Sequence, residues 1–161
     1  GQFGPARGRP SGPRLLQYVN GLKAEGANDL NAGLRDFAVR LVRPGLVILI
    51  SDLFAPNGFM DGLGGLQAKG CEVVVLHLLA PDEIEPALTG DLRLMDIETG
   101  APQEVSIDPG LRELYMRRVA EWRDGIRAEC RKRGIHYLFA DTSTHWERII
   151  LSGLRRDGVV R

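Results

Sequence analysis

The stretch GLVILISDLFAPNG, residues 45–58, contains six uncharged residues that run directly into Ser51 and Asp52. A Pro-Gly pair precedes this run, and a Pro-Asn-Gly sequence follows it. A short segment rich in Leu, Val and Ile between such turn residues is typical of a strand buried on both faces. The sequence therefore predicts a central parallel strand over Leu46–Ser51.

Asp52 comes directly after this predicted strand. In open α/β sheets, ligands bind beyond the carboxyl ends of the strands, because the loops diverge there and leave a crevice. An aspartate in this position can also serve only as a turn former or helix cap. The sequence position alone leaves both interpretations open.

The composition indicates one ordinary soluble domain. The chain has 161 residues, 43% of them hydrophobic and 26% charged, which is enough for one sizeable core. Lys and Arg number 21, as do Asp and Glu, so the charge balance points to neither nucleic acid nor anionic lipid. No apolar run approaches the roughly 20 residues needed to cross a bilayer. Cys71 and Cys130 are predicted to be reduced and unpaired in a cytosolic setting.

The pattern along the chain predicts a flexible segment over residues 1–12 and an α/β domain over residues 13–161. Apolar periodicity predicts helices near 13–26, 28–43, 59–69, 109–133 and 144–156 and strands at 46–51, 71–81 and 135–141. Residues 91–108 predict a β-hairpin about a turn at 99–102. The first two strands and the helix between them form a β-α-β unit, so these strands should be parallel.

Two details of helix packing are also predicted. The glycine-rich segment 62–65 lies inside a helical pattern and indicates close contact between helices rather than a phosphate site. The long helix near 109–133 should turn one apolar side inward, formed by Leu111, Leu114, Tyr115, Val119, Trp122 and Ile126.

Motifs for nucleotide binding and nucleophilic catalysis are missing from the sequence. No G-x-x-x-x-G-K-[ST] loop occurs, no G-x-G-x-x-G follows a strand, and no G-x-S-x-G elbow is present. The three histidines have no spacing typical of a zinc site.

Oxygen ligands remain as candidates. Ser51 and Asp52, together with Asn28 and Asp29 at a predicted helix start, could meet above the sheet as ligands for Mg²⁺, which prefers carboxylates, hydroxyls and water. Asp141 and Thr142 end the last predicted strand and would share the same rim, which makes them candidate partner-binding residues with Asp29. The competing interpretation is structural: Asn28 and Asp29 cap a helix and Asp141 turns the chain. For Asp141 the structural interpretation is preferred.

Three segments resemble a known bacterial family. They are GANDLNAGLRDFA (residues 26–38), GLVILISDLF (45–54) and LLAPDEIEPALTGDLRLMDIETG (78–100), followed by a helix that contains Tyr115. In this order they are similar to the C-terminal part of the proteins grouped as domain of unknown function fifty-eight, which are von Willebrand factor A-like domains. The GDLRLMDIETG segment carries more of this resemblance than the generic LISD, and the resemblance extends from about Pro13 over nearly the whole chain.

The resemblance implies a Rossmann-like, mostly parallel sheet flanked by helices, with the β-hairpin as an insertion. It also implies a metal-ion-dependent adhesion site built from a D-x-S-x-S loop, a Thr before a helix and an Asp after a later strand. Asp52 matches the third element, Asn28 stands where the Thr is expected, and no D-x-S-x-S occurs in these 161 residues. The sheet and the site are therefore expected to be incomplete. Mg²⁺ or Mn²⁺ would bind in the full-length protein, with no cofactor expected in this chain.

The resemblance further implies a non-catalytic protein-binding module that works with a MoxR-type AAA+ ATPase in protein assembly or maturation. The alternative is a metal-assisted hydrolase that uses Asp52 and Asp141. Family members often carry hydrophobic helices upstream, which implies a cytoplasmic domain tethered to the inner membrane by segments outside this chain. Without a preceding strand, Leu46–Ser51 would lie at a sheet edge, and the chain is expected to self-associate there.

Overall fold

A computed structural model describes residues 3–23, 29–87, 90–95, 102–149 and 151. Its helices are α1 (Ser11–Asn20), α2 (Leu30–Arg40), α3 (Met60–Ala68), α4 (Pro81–Ile84), α5 (Pro109–Lys132) and α6 (Trp146–Arg148). Its strands are β1 (Leu46–Ser51), β2 (Glu72–Leu79), β3 (Gly90–Met95), β4 (Pro102–Ile107) and β5 (His136–Asp141). None of the helices described is long and apolar enough to cross a membrane.

The main sheet is parallel and has the order β1-β2-β5. Ser51 of β1 lies opposite His77 of β2, and Leu79 of β2 lies opposite Asp141 of β5. The predicted β-α-β unit with parallel strands is confirmed, as is the α/β class with an incomplete Rossmann-like sheet. Because every strand runs in the same direction, the segments that follow β1, β2 and β5 meet at one rim of the sheet.

The prediction that β1 is a central strand buried on both faces is wrong. Within the described residues β2 holds the centre, and β1 forms an edge. Leu46, Ile48 and Ile50 are 46%, 45% and 61% exposed, whereas Val47 and Leu49 contact the core. An apolar run gives no indication of whether a neighbouring strand is available on each side, and within the part of the chain that the structure describes β1 has a neighbour on one side.

The core lies between one face of the main sheet and three helices. Leu34 and Ala38 of α2, Leu63 and Leu66 of α3, and Ile126 and Cys130 of α5 pack with Val73 and Val75 of β2. We call this the inner face of the sheet. The outer face carries Leu46, Ile48 and Ile50 on β1 beside Val74 and Leu76 on β2 and Leu138 on β5.

Close approach of α2 and α3 confirms the prediction for the glycine-rich segment. A Cβ atom added to Gly62 would lie 2.5 Å from the Leu34 Cβ atom, so only glycine fits there without a shift. The Gly62 backbone N–H donates to the buried Oδ1 of Asn31 at 2.7 Å. This bond satisfies one of the unpaired amides that begin every helix and fixes the start of α3 against α2.

The predicted hairpin is confirmed as the antiparallel pair β3 and β4, and its predicted turn at 99–102 lies mostly outside the described residues. The prediction for α5 holds only in its later turns. Val119 and Ile126 are buried, but Leu111, Leu114 and Tyr115 are about 40% exposed. The early turns of α5 instead hold the α4 segment, since the Tyr115 hydroxyl donates to the Glu83 carbonyl at 2.7 Å.

Both cysteines are free and buried, in agreement with the sequence prediction. Cys71 precedes β2 and Cys130 faces the core from α5. Burial raises the pKa of the Cys130 thiol to about 11, so this thiol stays protonated at neutral pH. Protonated buried thiols act as small apolar core residues rather than nucleophiles.

Candidate functional site

The loop after β1 is held by its own polar side chains. The Ser51 hydroxyl oxygen accepts a hydrogen bond from the Leu53 amide at 3.0 Å. The Asp52 carboxylate accepts from the Phe54 amide at 3.2 Å, and the Ser51 hydroxyl lies 3.4 Å from the same Oδ1 atom. Asp52 is exposed at the rim. The loop therefore presents a hydroxyl and a carboxylate side by side to solvent.

Leu53 gives this loop its shape. Its φ angle is +60°, a left-handed backbone conformation that residues other than glycine rarely adopt. The side chain is only 2% exposed and packs in the core. Burial of this leucine opposes the cost of its backbone conformation, and the chain turns sharply enough to leave Asp52 and Phe54 outside.

Asp29 and Asn57 connect this loop to the start of α2. The Asp29 carboxylate caps α2 by accepting from the Ala32 amide at 3.0 Å, and its other oxygen accepts from the Asn57 side chain at 3.0 Å. The Ala32 amide, followed by the Asn57 side chain, lowers the pKa of Asp29 below its ordinary value. The structure thus brings Asp29 to the same rim as the loop after β1. Asn28, the other residue predicted there, lies outside the described residues.

A buried histidine, His77, packs beneath the loop that follows β1. His77 is fully buried at the end of β2, and its Nδ1 atom lies 2.8 Å from the Tyr137 hydroxyl. Its ring packs edge-on against Trp122, and Trp122 in turn stacks on the half-exposed Phe54 at 5.0 Å. Burial lowers the pKa of His77, an effect that the Asp52 backbone opposes. The neutral ring therefore supports the loop through packing and carries no charge at neutral pH.

Asp141 and Thr142 lie at the same rim but on the far side of β2. The Asp141 carboxylate accepts hydrogen bonds from the Ser143 amide and hydroxyl, and its backbone carbonyl accepts from Thr144. The Ser143 hydroxyl is the main cause that lowers the pKa of Asp141. The Thr142 amide donates to the Leu79 carbonyl. These contacts are those of a turn, and two strand spacings separate Asp141 from Asp52, about 10 Å.

Among the described residues, Ser51 and Asp52 place two oxygens close enough together to be compared with the ligands of a metal ion. Two adjacent oxygen ligands of one octahedral Mg²⁺ lie about 3.0 Å apart, because each ligand is about 2.1 Å from the ion. The Ser51 hydroxyl and the Asp52 Oδ1 atom, at 3.4 Å, are close to this separation. Among the residues described, no group of three or more His, Cys, Asp or Glu could hold an ion. The residues present fit as two of six ligands.

The fold and the rim define the chain as an α/β protein with an open parallel sheet and a polar loop cluster at the carboxyl ends of its strands. The family described as "Protein of unknown function DUF58" matches residues 2–125, and the chain belongs to this family. The match confirms the family that the sequence resembles, and it ends within α5, so β5 and Asp141 lie outside it.

Similar proteins, described as uncharacterized, occur in mycobacteria. Proteins of Mycobacterium tuberculosis (strain H37Rv) and Mycobacterium bovis are 34% identical over 104 residues, which is 65% of this chain and 32% of theirs. A Mycobacterium avium protein is 32% identical over 65% of this chain and 61% of its own length. The chain thus spans about a third of the first two relatives. No solved structure matches it significantly.

Asn57 and His77 are the site residues that the sequence analysis missed. Asn57 was recognised only as part of a turn, and its contact with Asp29 spans 28 residues. His77 was assigned only to a strand, although its position opposite Ser51 places it at the rim. The predicted parallel pairing of the first two strands was the signal that could have found His77. This pairing places the carboxyl-terminal part of β2 beside the end of β1.

Proposed function

We propose that the chain is part of a non-catalytic protein-binding module of von Willebrand factor A type. The observation that carries the proposal is the hydrogen bond between Asp29 and Asn57. It joins the start of α2 to the loop after β1, so that both present polar groups from one rim. A polar rim held by its own side chains is prepared to bind a partner with little loss of loop entropy.

The surroundings of the rim favour a protein as the partner. Phe54 is half-exposed beside Asp52, and an open groove lined by Asn57, Met60 and Trp122 continues from the loop along α5. Aromatic and Met side chains next to a few polar groups are typical of protein-binding surfaces. The His77 ring near Asp52 is fully buried, so this imidazole does not reach a solvent-exposed substrate as a base.

We propose that the full-length protein binds a metal ion at this rim. Ser51 and Asp52 would provide two ligand oxygens, and groups outside the described residues would provide the rest, Asn28 among them. When bound, Mg²⁺ or Mn²⁺ would supply a positive charge that a partner's carboxylate completes. We propose a MoxR-type AAA+ ATPase as the partner and the cytoplasmic side of the inner membrane as the location, on the basis of the family resemblance alone.

The test compares binding and turnover in the same protein. Binding of the full-length protein to the MoxR-type ATPase of the same organism would be measured by biolayer interferometry in Mn²⁺ and in EDTA. We expect Asp52→Ala and EDTA each to weaken binding at least about tenfold, which is about 1.4 kcal/mol. Asp36→Ala, an exposed aspartate on α2, is the matched control and should bind like the wild type.

The same preparations would be assayed on p-nitrophenyl phosphate and p-nitrophenyl acetate. Turnover that disappears in Asp52→Ala would support the alternative hydrolase and contradict the binding module. Binding that is equal in Mn²⁺ and EDTA and unaffected by Asp52→Ala would contradict the proposal that the rim around Asp52 binds the partner.

A further inference from the structure

Arg123, in the second half of α5, is an unusual charged side chain. It is half-buried, and its guanidinium carbon lies 4.3 Å from the centre of the Phe139 ring on β5. Its Nε atom is buried and has no hydrogen-bond partner among the described residues. No ion pair within the described part of the chain includes Arg123. Arginines that are withdrawn from water are usually paired with an acid, so this one requires an explanation.

The other arginines of α5 are either paired or exposed. Those that form ion pairs with described acids are Arg112, Arg118 and Arg127. Those that are exposed, and therefore solvated by water, are Arg117 and Arg131. The helix neighbours of Arg123, three or four residues away, include no acid; they are Val119, Ala120, Ile126 and Arg127. Arg123 is thus the half-buried arginine of this helix for which the described residues provide no counter-charge.

Arg123 lies near the carboxyl-terminal rim of the sheet. Phe139, on which it packs, lies opposite His77 of β2 and two residues before Asp141, the last residue of β5. Burial, together with the positive charge of Arg123, lowers the pKa of His77, in agreement with a guanidinium close to this ring. Asp141 is on the same side of β5 as Phe139, but its carboxylate accepts hydrogen bonds from Ser143 instead of pairing with Arg123. A positive charge therefore stands uncompensated beside the polar rim.

We propose that Arg123 is an anion-binding residue of the rim and takes a carboxylate group. The Phe139 ring holds the guanidinium in one place, and Nε is its one nitrogen that is both buried and unpaired, so the two terminal nitrogens reach solvent. A planar fork of N–H donors in a fixed orientation matches the two oxygens of a carboxylate. Because the side chain is already held on the ring, it loses little conformational freedom when it binds.

The Arg123 site is separate from the loop after β1. Phe139 and Ser51 lie on the two strands that flank β2, which places them two strand spacings apart, about 10 Å. The site requires no metal ion and no AAA+ ATPase, and it does not depend on the proposed function. Two sources of the carboxylate fit the same chemistry: a free dicarboxylate, or an acidic side chain of a partner protein.

Stability distinguishes a binding residue from a structural one. Arg123→Met keeps an apolar stem against Phe139 and removes the charge. Because an uncompensated half-buried charge opposes folding, we expect this variant of the chain to unfold at an equal or higher urea concentration than the wild type. Arg117→Met, at an exposed position of the same helix, is the control and should match the wild type. A clearly lower midpoint for Arg123→Met than for Arg117→Met would show that Arg123 stabilises the fold through a partner within the chain, and would overturn the proposal.

Binding would be measured by NMR titration of the nitrogen-15-labelled chain with sodium succinate and with the peptide acetyl-Gly-Asp-Asp-Gly-amide, each against sodium chloride at equal ionic strength. We expect saturable shifts of the Phe139 and His77 amide signals, with a Kd of about 1–10 mM.

These shifts should disappear in Arg123→Met and persist in Arg117→Met. Tighter binding of succinate would assign the site to a free dicarboxylate, and tighter binding of the peptide would assign it to an acidic segment of a protein. The absence of saturable shifts with both probes, equal shifts in chloride, or shifts that survive Arg123→Met would overturn the proposal.

Discussion

At the scale of single residues, Leu53 determines where Asp52 points. Its left-handed backbone ends β1 and turns the loop, while its side chain remains in the core. Two opposing free energies meet at this position. A left-handed backbone costs about 1–2 kcal/mol for a residue with a Cβ, and removal of a buried leucine side chain costs about 2–5 kcal/mol. The buried side chain therefore outweighs the strained backbone.

This balance predicts an unusual order of stability for two variants. Leu53→Ala loses the buried side chain and keeps the strain, whereas Leu53→Gly loses the side chain and the strain together. We expect both to be less stable than the wild type, with the glycine variant about 1 kcal/mol more stable than the alanine variant. Urea denaturation followed by circular dichroism would measure the difference. A glycine variant less stable than the alanine variant, the order usual in strands and helices, would show that the backbone is unstrained.

Asp29 and Asn57 show what a single sequence can and cannot predict about this site. A capping role for Asp29 was predicted from its position before an apolar helix pattern, and the structure confirms it. The partnership with Asn57 depends on how α2 packs beside the loop after β1, and no local pattern encodes that distance. Thus the separate polar residues of the rim were predictable, but the contact that unites them was not.

At the scale of elements, the packing of α3 against α2 requires a glycine at position 62 but not at position 65. A Cβ at Gly62 would meet the Leu34 Cβ at 2.5 Å and the Asn31 carbonyl oxygen at 3.1 Å. A Cβ at Gly65 would meet only the Ala38 Cβ, at an ordinary 3.7 Å. Both glycines lie in the same helix, so they form a matched pair.

We expect Gly62→Ala to lower the free energy of unfolding by about 1–3 kcal/mol, because α2 and α3 must separate. Gly65→Ala should be neutral or raise it by up to about 1 kcal/mol, through better helix propensity. Urea denaturation of the two variants would decide. Equal effects of the two substitutions would show that α2 and α3 are not in close contact at Gly62.

Most helices and strands could be predicted, because apolar periodicity and turn residues are local features of the sequence. The bounds of β1 agree with the prediction, those of α3 differ by one residue at each end, and α5 ends one residue earlier than predicted. The prediction of a central β1 failed because an apolar run reports which residues can be buried and carries no information about the neighbouring strands. Burial of the first turns of α5 was overestimated for a related reason: apolar spacing continues through Leu114 and Tyr115, but both side chains are about 40% exposed, and Tyr115 contacts the α4 segment.

At the scale of the whole molecule, the described chain has three specialised surfaces on one parallel sheet. Helices α2, α3 and α5 cover the inner face, the outer face is apolar and open at β1, and the carboxyl-terminal rim carries the polar loops. The relatives extend well beyond the part that this chain matches.

The most direct measurement is calorimetric titration of Mg²⁺ and Mn²⁺ into this chain, into the full-length protein, and into the Asp52→Ala variant of the full-length protein. We expect binding by the full-length protein, loss of that binding in Asp52→Ala, and little or no heat from this chain, whose described residues bring the oxygens of Ser51 and Asp52 together. If the full-length protein binds neither ion, or if Asp52→Ala binds as well as the wild type, Asp52 is a structural residue and the metal-assisted rim is wrong.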